Sequence, residues 1–422
     1  MKPISLMQKK MARRTLFSVL AILVLVLAFQ WWTKNVRDPN FGSFDSAGYI
    51  AAIRSKGDAS QVVLIDPSGK VIESPDYVAG SADENPVWTP DGQRIYFMSD
   101  REERQNHIFR WNPSPRFEGV QRLTIDSRSK QGLTFEVPGA ETKNLDGLYL
   151  SGGTVMYFDP NAEKPTRQVL PPTTLNATST EGEGAGGQFD QLYSKFGSSF
   201  KIAKWGPNKS WIACVMRQSE GGEMLIIQDM KAENAPPEPI PLMGDRIDID
   251  VSKTGRLVAT FLHCRFFEPM APPEAKQGGI MKAPFRHGTI LIDVSLGGNS
   301  RMVPIVTHQS DKIAFTLPKI SPDGESVAFL AGPNNGVGHI AVSAVYVAKL
   351  EDGGGKESVA AIKSPLVRDA QWTTDGSKLL LTMLEGDGQA IYSVNKDGSD
   401  LKNLTKGLGS FRSPRMSPVL KK

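Results

Sequence analysis

Asn85–Asp100 reads NPVWTPDGQRIYFMSD, and the same frame returns as LPKISPDGESVAFLAG at Leu317–Gly332 and DAQWTTDGSKLLLTML at Asp369–Leu384. Two looser copies fit it: AKWGPNKSWIACVMRQ from Ala203 and DIDVSKTGRLVATFLH from Asp248. Every copy has one physical logic. A short strand ends in Trp or another apolar residue. A tight turn follows, in which Pro, Asp or Asn, and Gly supply the dihedrals, as in Pro90-Asp91-Gly92, Pro322-Asp323-Gly324 and Thr374-Asp375-Gly376. A second strand rich in β-branched, aromatic and aliphatic residues comes next, such as Ile95-Tyr96-Phe97-Met98.

Working outward, a third strand is predicted after a variable loop: HIFRWN from His107, MLIIQD from Met224, TILIDV from Thr289, AVYVAKL from Ala344 and AIYSVN from Ala390. A fourth short segment closes the unit, VQRLT at Val120 and LKNLT at Leu401. Four antiparallel strands in roughly 40–60 residues make a propeller blade. The chain is therefore expected to be all-β. The 40 glycines and 29 prolines suit its many turns.

Pro86–Thr124 and Ala370–Thr405 resemble the TolB-like (WD40-like, PD40) repeat, PxWSPDGxxIxFxSxRxxxxxIYxxxxxGxxxxxLT. The resemblance covers nearly all of the chain after about residue 45. It implies a β-propeller and says little about function, because such blades serve unrelated proteins. TolB itself carries an α/β domain before its propeller. The sequence here leaves no room for one, so the resemblance is not expected to carry TolB's part in the Tol–Pal system.

Blades are expected to start near residues 85, 133, 200, 247, 316 and 368, the second being divergent around GLYLSGGTVMYFDP. Ser413-Pro414-Arg415-Met416-Ser417-Pro418 resembles a first strand with nothing after it, and YIAAIRSKGDASQVVLIDPSGKVI from Tyr49 resembles later strands with nothing before them. Joined, they make a seventh blade shared by both termini, which removes two exposed sheet edges. Six and eight blades are the alternatives. Two segments are expected to project from a rim: the low-complexity stretch 171–187 and an insertion at 268–288, between the second and third strands of the fourth repeat.

Ahead of the propeller (47–422), Thr15–Trp32 is an uncharged apolar run. Its length as a helix, about 27 Å, approaches the ~30 Å hydrocarbon core of a bilayer. Residues 1–14 are basic and are expected to stay cytoplasmic, with 33–46 as a tether, which sends the propeller to the periplasmic or extracellular side. Cleavage as a signal peptide after Ala28 is the alternative and would make the protein secreted. No cysteine follows the run, which argues against a lipoprotein. The net charge of +4 belongs to this segment: without Lys2, Lys9, Lys10, Arg13 and Arg14 the chain carries 44 basic against 45 acidic residues. That balance offers no case for nucleic-acid binding.

Chemistry is sparse in local motifs. There is no Gly-x-Ser-x-Gly, P-loop, HExxH or EF-hand loop. Peptidases capped by TolB-like blades need a hydrolase domain, for which the blades leave no space. His107, His263, His287, His308 and His339 do not pair at metal-ligand spacing, and the adjacent His263 and Cys264 would point to opposite faces of a strand. Cys214 and Cys264 lie in apolar runs and read as buried thiols, with a single bridge as the alternative. Asp91, Asp323 and Asp375 recur at one turn and are expected to bond backbone there rather than act as catalytic carboxylates. Trp88, Trp205 and Trp372 occupy equivalent positions and are expected to pack between blades. Lys276, Lys282 and Arg286, with Met281 and Phe285, read as a solvated loop, with an acidic partner or lipid surface as the alternative. Asn176 and Asn403 match glycosylation sequons.

No catalytic, cofactor or metal residue is assigned from sequence. The expected function is a non-enzymatic scaffold of the cell envelope, with envelope proteins or a peptide or saccharide ligand at one propeller face. The alternative is a propeller enzyme, lyase- or lactonase-like, with its site in the central channel. Three or more carboxylates or histidines converging on the axis would favour the enzyme.

Overall fold

A computed structural model describes residues 44–114, 119–124, 129–135, 147–151, 154–158, 167–170, 199–217, 222–231, 238–262, 265–266, 281–282, 287–296, 300–308, 313–333, 344–350, 359–363 and 366–420. The expected anchor, most of the tether, the 171–187 stretch, His263, Cys264, His339 and Asn176 lie outside them. The chain divides into two units, Met1–Asp45 with Ser114–Glu118 and Ser46–Pro113 with Gly119–Lys422. Of the first, only Phe44, Asp45 and Ser114 are described. The second holds seven antiparallel sheets.

Each sheet is one blade, and its first strand lies nearest the axis. The seven first strands are Asp83–Trp88, Lys130–Phe135, Ser199–Trp205, Arg246–Val251, Ile313–Ile320, Val367–Trp372 and Ser410–Met416. Each touches the next in that order, and the last touches the first, so the ring closes. Burial follows position. Second strands such as Ile95–Ser99 are buried at every residue, because neighbouring blades cover both faces. First strands alternate, as in Arg246–Val251, because side chains at successive positions point to opposite faces.

The core lies between blades. Six apolar clusters each span two consecutive blades, for example Leu148, Phe200 and Ile212 between the second and third. The seam between the seventh and first blades adds a buried ion pair. Arg101 donates two hydrogen bonds to the Asp83 carboxylate at 2.9 and 2.8 Å, and Asp83 also accepts the Val62 N–H at 3.0 Å. The guanidinium sits 5.1 Å from the ring centroids of Phe97 and Phe109.

The Asp-Gly turns are built as their residue types require. Asp91 accepts the Thr89 hydroxyl and the Gln93 N–H, and Asp375 accepts the Thr373 hydroxyl and the Ser377 N–H. Asp323 accepts from Ser321 and the Glu325 N–H. Gly92 has φ +68°, open to glycine at little cost. A Cβ there would collide with Ser46 and Val419, so this turn packs against the closing blade. Gly376 lies against Pro322 and Asp323 of the preceding turn, and Gly324 against Ser252 and Thr254 of the one before.

The shared seventh blade is present. Ser410–Met416 pairs antiparallel with Ile50–Lys56, running from Ile50 opposite Met416 to Ser55 opposite Ser410. Ala59–Ile65 and Val71–Glu73 complete it outward. The Ser46 and Ser417 hydroxyls meet at 2.7 Å, and the Ser417 N–H donates to the Tyr49 carbonyl.

The insertion in the fourth repeat differs from the expected rim projection. Arg265–Phe266 and Met281–Lys282 pair with each other, and Arg265 pairs with Met243 on the outer strand of the third blade. That sheet therefore reaches six strands. The outer strand Glu238–Gly244 offers free backbone groups, and the hairpin takes them up.

Candidate functional site

The residue before the last in every first strand lines one cavity of 420 Å³: Val87, Thr134, Lys204, Asp250, Lys319, Gln371 and Arg415. All seven are half-buried, while the residue after each is buried in six blades of seven. The cavity thus draws one residue from the same register position of each blade. Bulges just upstream help aim them. The register shifts between Glu84 and Val87, Gln131 and Thr134, and Thr316 and Lys319. Asn85, Gly132, Leu317 and Ser413, each two residues before a lining residue, have positive φ.

The charges sort into committed acids and less committed cations. Asp248 and Asp250 on the fourth blade tie its neighbours together. Asp250 lies 3.6 Å from the Lys204 amine and accepts the Ile320 N–H at 2.9 Å. Asp248 lies 3.4 Å from the Lys201 amine and accepts the Thr316 hydroxyl at 2.5 Å. Burial pushes the Asp248 carboxyl up, but Lys201 and the bonds from Thr316 and the Leu317 N–H outweigh it, leaving it below the usual range. Lys201 is held three ways, by Asp248, by Glu223 at 3.0 Å and by the Ile247 carbonyl at 3.1 Å. One Arg415 amine is spent on Asp369 at 3.0 Å and the Pro414 carbonyl at 2.8 Å. The Lys319 amine has no hydrogen-bond or ion-pair partner among the described residues. Burial lowers the Lys204 amine to about 8; Lys319 and Arg415 push it the same way, and Asp250 opposes them.

Two tryptophans fix this layer. Trp372 donates its indole N–H to the Lys319 carbonyl at 2.8 Å, and Trp88 to the Arg415 carbonyl at 2.9 Å. The expected packing role therefore carries a second one, holding the backbone of the preceding blade's lining residue. Trp205 is buried in the same way, yet its indole N–H finds no partner among the described residues.

The other residues weighed from sequence sit away from the cavity. Cys214 is a buried free thiol, with burial pushing its pKa up. His107 is buried beside Glu103, Arg122 and Thr124. His287 and His308 lie opposite each other on paired strands of the fourth blade. Asn403 donates to Glu385. No group of three or more His, Cys, Asp or Glu able to hold a metal occurs among the described residues. Carboxylates do approach the axis, but Asp248 and Asp250 are engaged in joining blades. The lining residues escaped the sequence reading because no local motif marks them. The usable signal was positional, the residue preceding the strand-end Trp in PVW, AKW and AQW and its equivalents in the other repeats.

No family model matches the chain, and no characterised protein matches it by sequence. Solved structures match its fold. TolB from Acinetobacter baumannii is 13% identical with a TM-score of 0.47, over 88% of this chain and 67% of that one. A post-proline cleaving enzyme from Rickettsia typhi is 11% identical with a TM-score of 0.53, over 89% of this chain and 54% of that one. An oligogalacturonate lyase in complex with manganese is 13% identical with a TM-score of 0.47, over 84% of this chain and 85% of that one. At these identities the likeness is one of fold: the chain is a seven-bladed β-propeller.

Proposed function

We propose that this chain is a membrane-anchored, extracytoplasmic propeller that serves the cell envelope as a binding scaffold, engaging its ligand or partner at the channel. The observation that carries this is the single cavity fed by one residue from each of seven blades. Each of the seven residues sits on a strand that pairs with the second strand of its blade, or with Ile50–Lys56 in the seventh, and touches the first strands of the blades on either side. The apolar run at 15–32 supports the location.

The test is photo-crosslinking in intact cells from Gln371, which lines the cavity, compared with Asp397, exposed in the last turn of the same blade. The reading expects a defined adduct from Gln371 and none from Asp397. Equal labelling from both would overturn it, as would digestion of the propeller by protease only after the cytoplasmic membrane is broken.

One observation favours the enzyme alternative. An amine lowered to about 8 beside a carboxylate, as in Lys204 and Asp250, could serve as a general base near neutral pH. Substrate turnover by the purified chain, abolished in Lys204→Gln with the melting temperature unchanged, would establish that reading in place of the scaffold.

A further inference from the structure

Resting on the reading of the channel as a binding site, we infer that its ligand carries a carboxylate, held between Lys204, Lys319 and Arg415, on a small apolar body. Three blades deliver these cations to one register position of one cavity. Around the layer Lys201, Lys204, Lys319 and Arg415 meet four carboxylates, Glu223, Asp248, Asp250 and Asp369. The charges balance in sum but not in pairing, because Lys201 takes two of the carboxylates. The Lys319 amine has no partner among the described residues, the Lys204 amine has only Asp250 at 3.6 Å, and one side of the Arg415 guanidinium is committed to Asp369 and a carbonyl. A half-buried amine with no anion beside it is costly, and a bound anion removes that cost.

One amine left without an anion matches a singly charged carboxylate better than a doubly charged phosphate. Arg415 retains donors in the planar fork that suits a carboxylate. The rest of the wall is mixed, with Leu133, Ile202 and Ile320 apolar and Asn85, Thr134 and Gln371 polar. The cavity volume lies within the ordinary range for small-molecule sites.

Titration supplies a signature. The charged groups around Lys204 are Lys201 on its own strand, held by Glu223, Asp248 and Asp250 on the fourth blade, Lys319 on the fifth, and Arg415 with Asp369 behind it; the other blades contribute Val87, Thr134 and Gln371. Burial lowers the Lys204 amine to about 8. A bound carboxylate favours its charged form, so binding raises that pKa. Affinity is therefore full below about pH 8 and falls as pH rises through it. At pH 8, binding takes up roughly half a proton by linkage.

The experiment is calorimetric titration of the full chain in detergent with hexanoate, hexanol and inorganic phosphate as probes. The inference expects hexanoate to bind, hexanol not to, and phosphate to bind at least about tenfold more weakly. It expects Lys319→Met, which removes a charge but no side-chain bond, to weaken hexanoate by about tenfold or more with the melting temperature no lower. Heats at pH 8 should depend on the buffer, reporting proton uptake. Thr134→Trp, which fills the channel, separates the two readings. Hexanoate binding lost in Thr134→Trp but kept in Lys319→Met would sink the carboxylate inference and leave the channel reading standing. Binding kept in both variants would remove both. Phosphate binding more tightly than hexanoate, or no probe binding at millimolar concentration, would overturn the inference.

Discussion

Trp372 on the sixth blade donates its indole N–H to the backbone carbonyl of Lys319 on the fifth, at 2.8 Å. One bond thus joins the repeat signature to the channel, because the residue whose carbonyl accepts is itself a lining residue. Trp88 and Arg415 repeat the arrangement across the seam where the ring closes, at 2.9 Å.

Trp372→Phe should cost about 1–2 kcal/mol, the worth of a net hydrogen bond plus part of the penalty for an unpaired carbonyl. Trp205→Phe removes an indole N–H that has no partner among the described residues, and should cost less than Trp372→Phe. Denaturant unfolding of both variants measures the difference.

Asp83→Ala should be among the most destabilising single changes at the closing seam. It strands Arg101 and the Val62 N–H in a buried site, at a cost of about 3–5 kcal/mol. Asp83→Leu combined with Arg101→Met should recover much of that, since no buried charge is then left alone. The comparison is read from unfolding midpoints.

Gly92→Ala should cost more than Gly386→Ala. Both glycines have positive φ, so both variants carry backbone strain of about 1 kcal/mol. Only at Gly92 does the new methyl meet Ser46 and Val419, whereas Gly386 has nothing within 4 Å of it. Thermal melts of the pair isolate the packing contribution.

Asp248→Asn should lower stability at neutral pH by about 1 kcal/mol, since Lys201 keeps Glu223. The Asp248 carboxyl titrates below its ordinary value of 3.8 in the folded chain, so its stabilisation is present above that pH and lost as pH falls through the folded value. The gap between wild type and variant should therefore close in acid. A gap that stays constant from pH 7 to pH 2 would contradict the assignment.

Removing residues 410–422 should abolish cooperative unfolding, because the seventh blade loses its first strand and both flanking edges open. Near-ultraviolet dichroism and limited proteolysis would show it.

Much of this architecture was legible beforehand. The turn residues around Asp91, Asp323 and Asp375 demand particular dihedrals, and the strands beside them show their burial through alternation or continuous apolarity. These are local properties, so all six internal blades could be placed from residues close together in the chain. The seventh was readable because half a repeat stands at each end. The insertion near residue 268 was recognisable as an interruption, but its pairing with the third blade depended on a free edge that only the assembled sheet presents.

The amino-acid sequence alone determined the propeller and pointed to seven blades, ahead of six or eight, with a closing strand, because turn chemistry and strand periodicity act over a few residues. The tertiary structure alone decided what the channel contains. Val87 and Arg415 are distant along the chain and neighbours around the axis, and whether Lys319 meets a carboxylate depends on the blades beside it. Electrostatics at such a site is a sum over seven separate strands, and no stretch of sequence carries more than one or two of its terms.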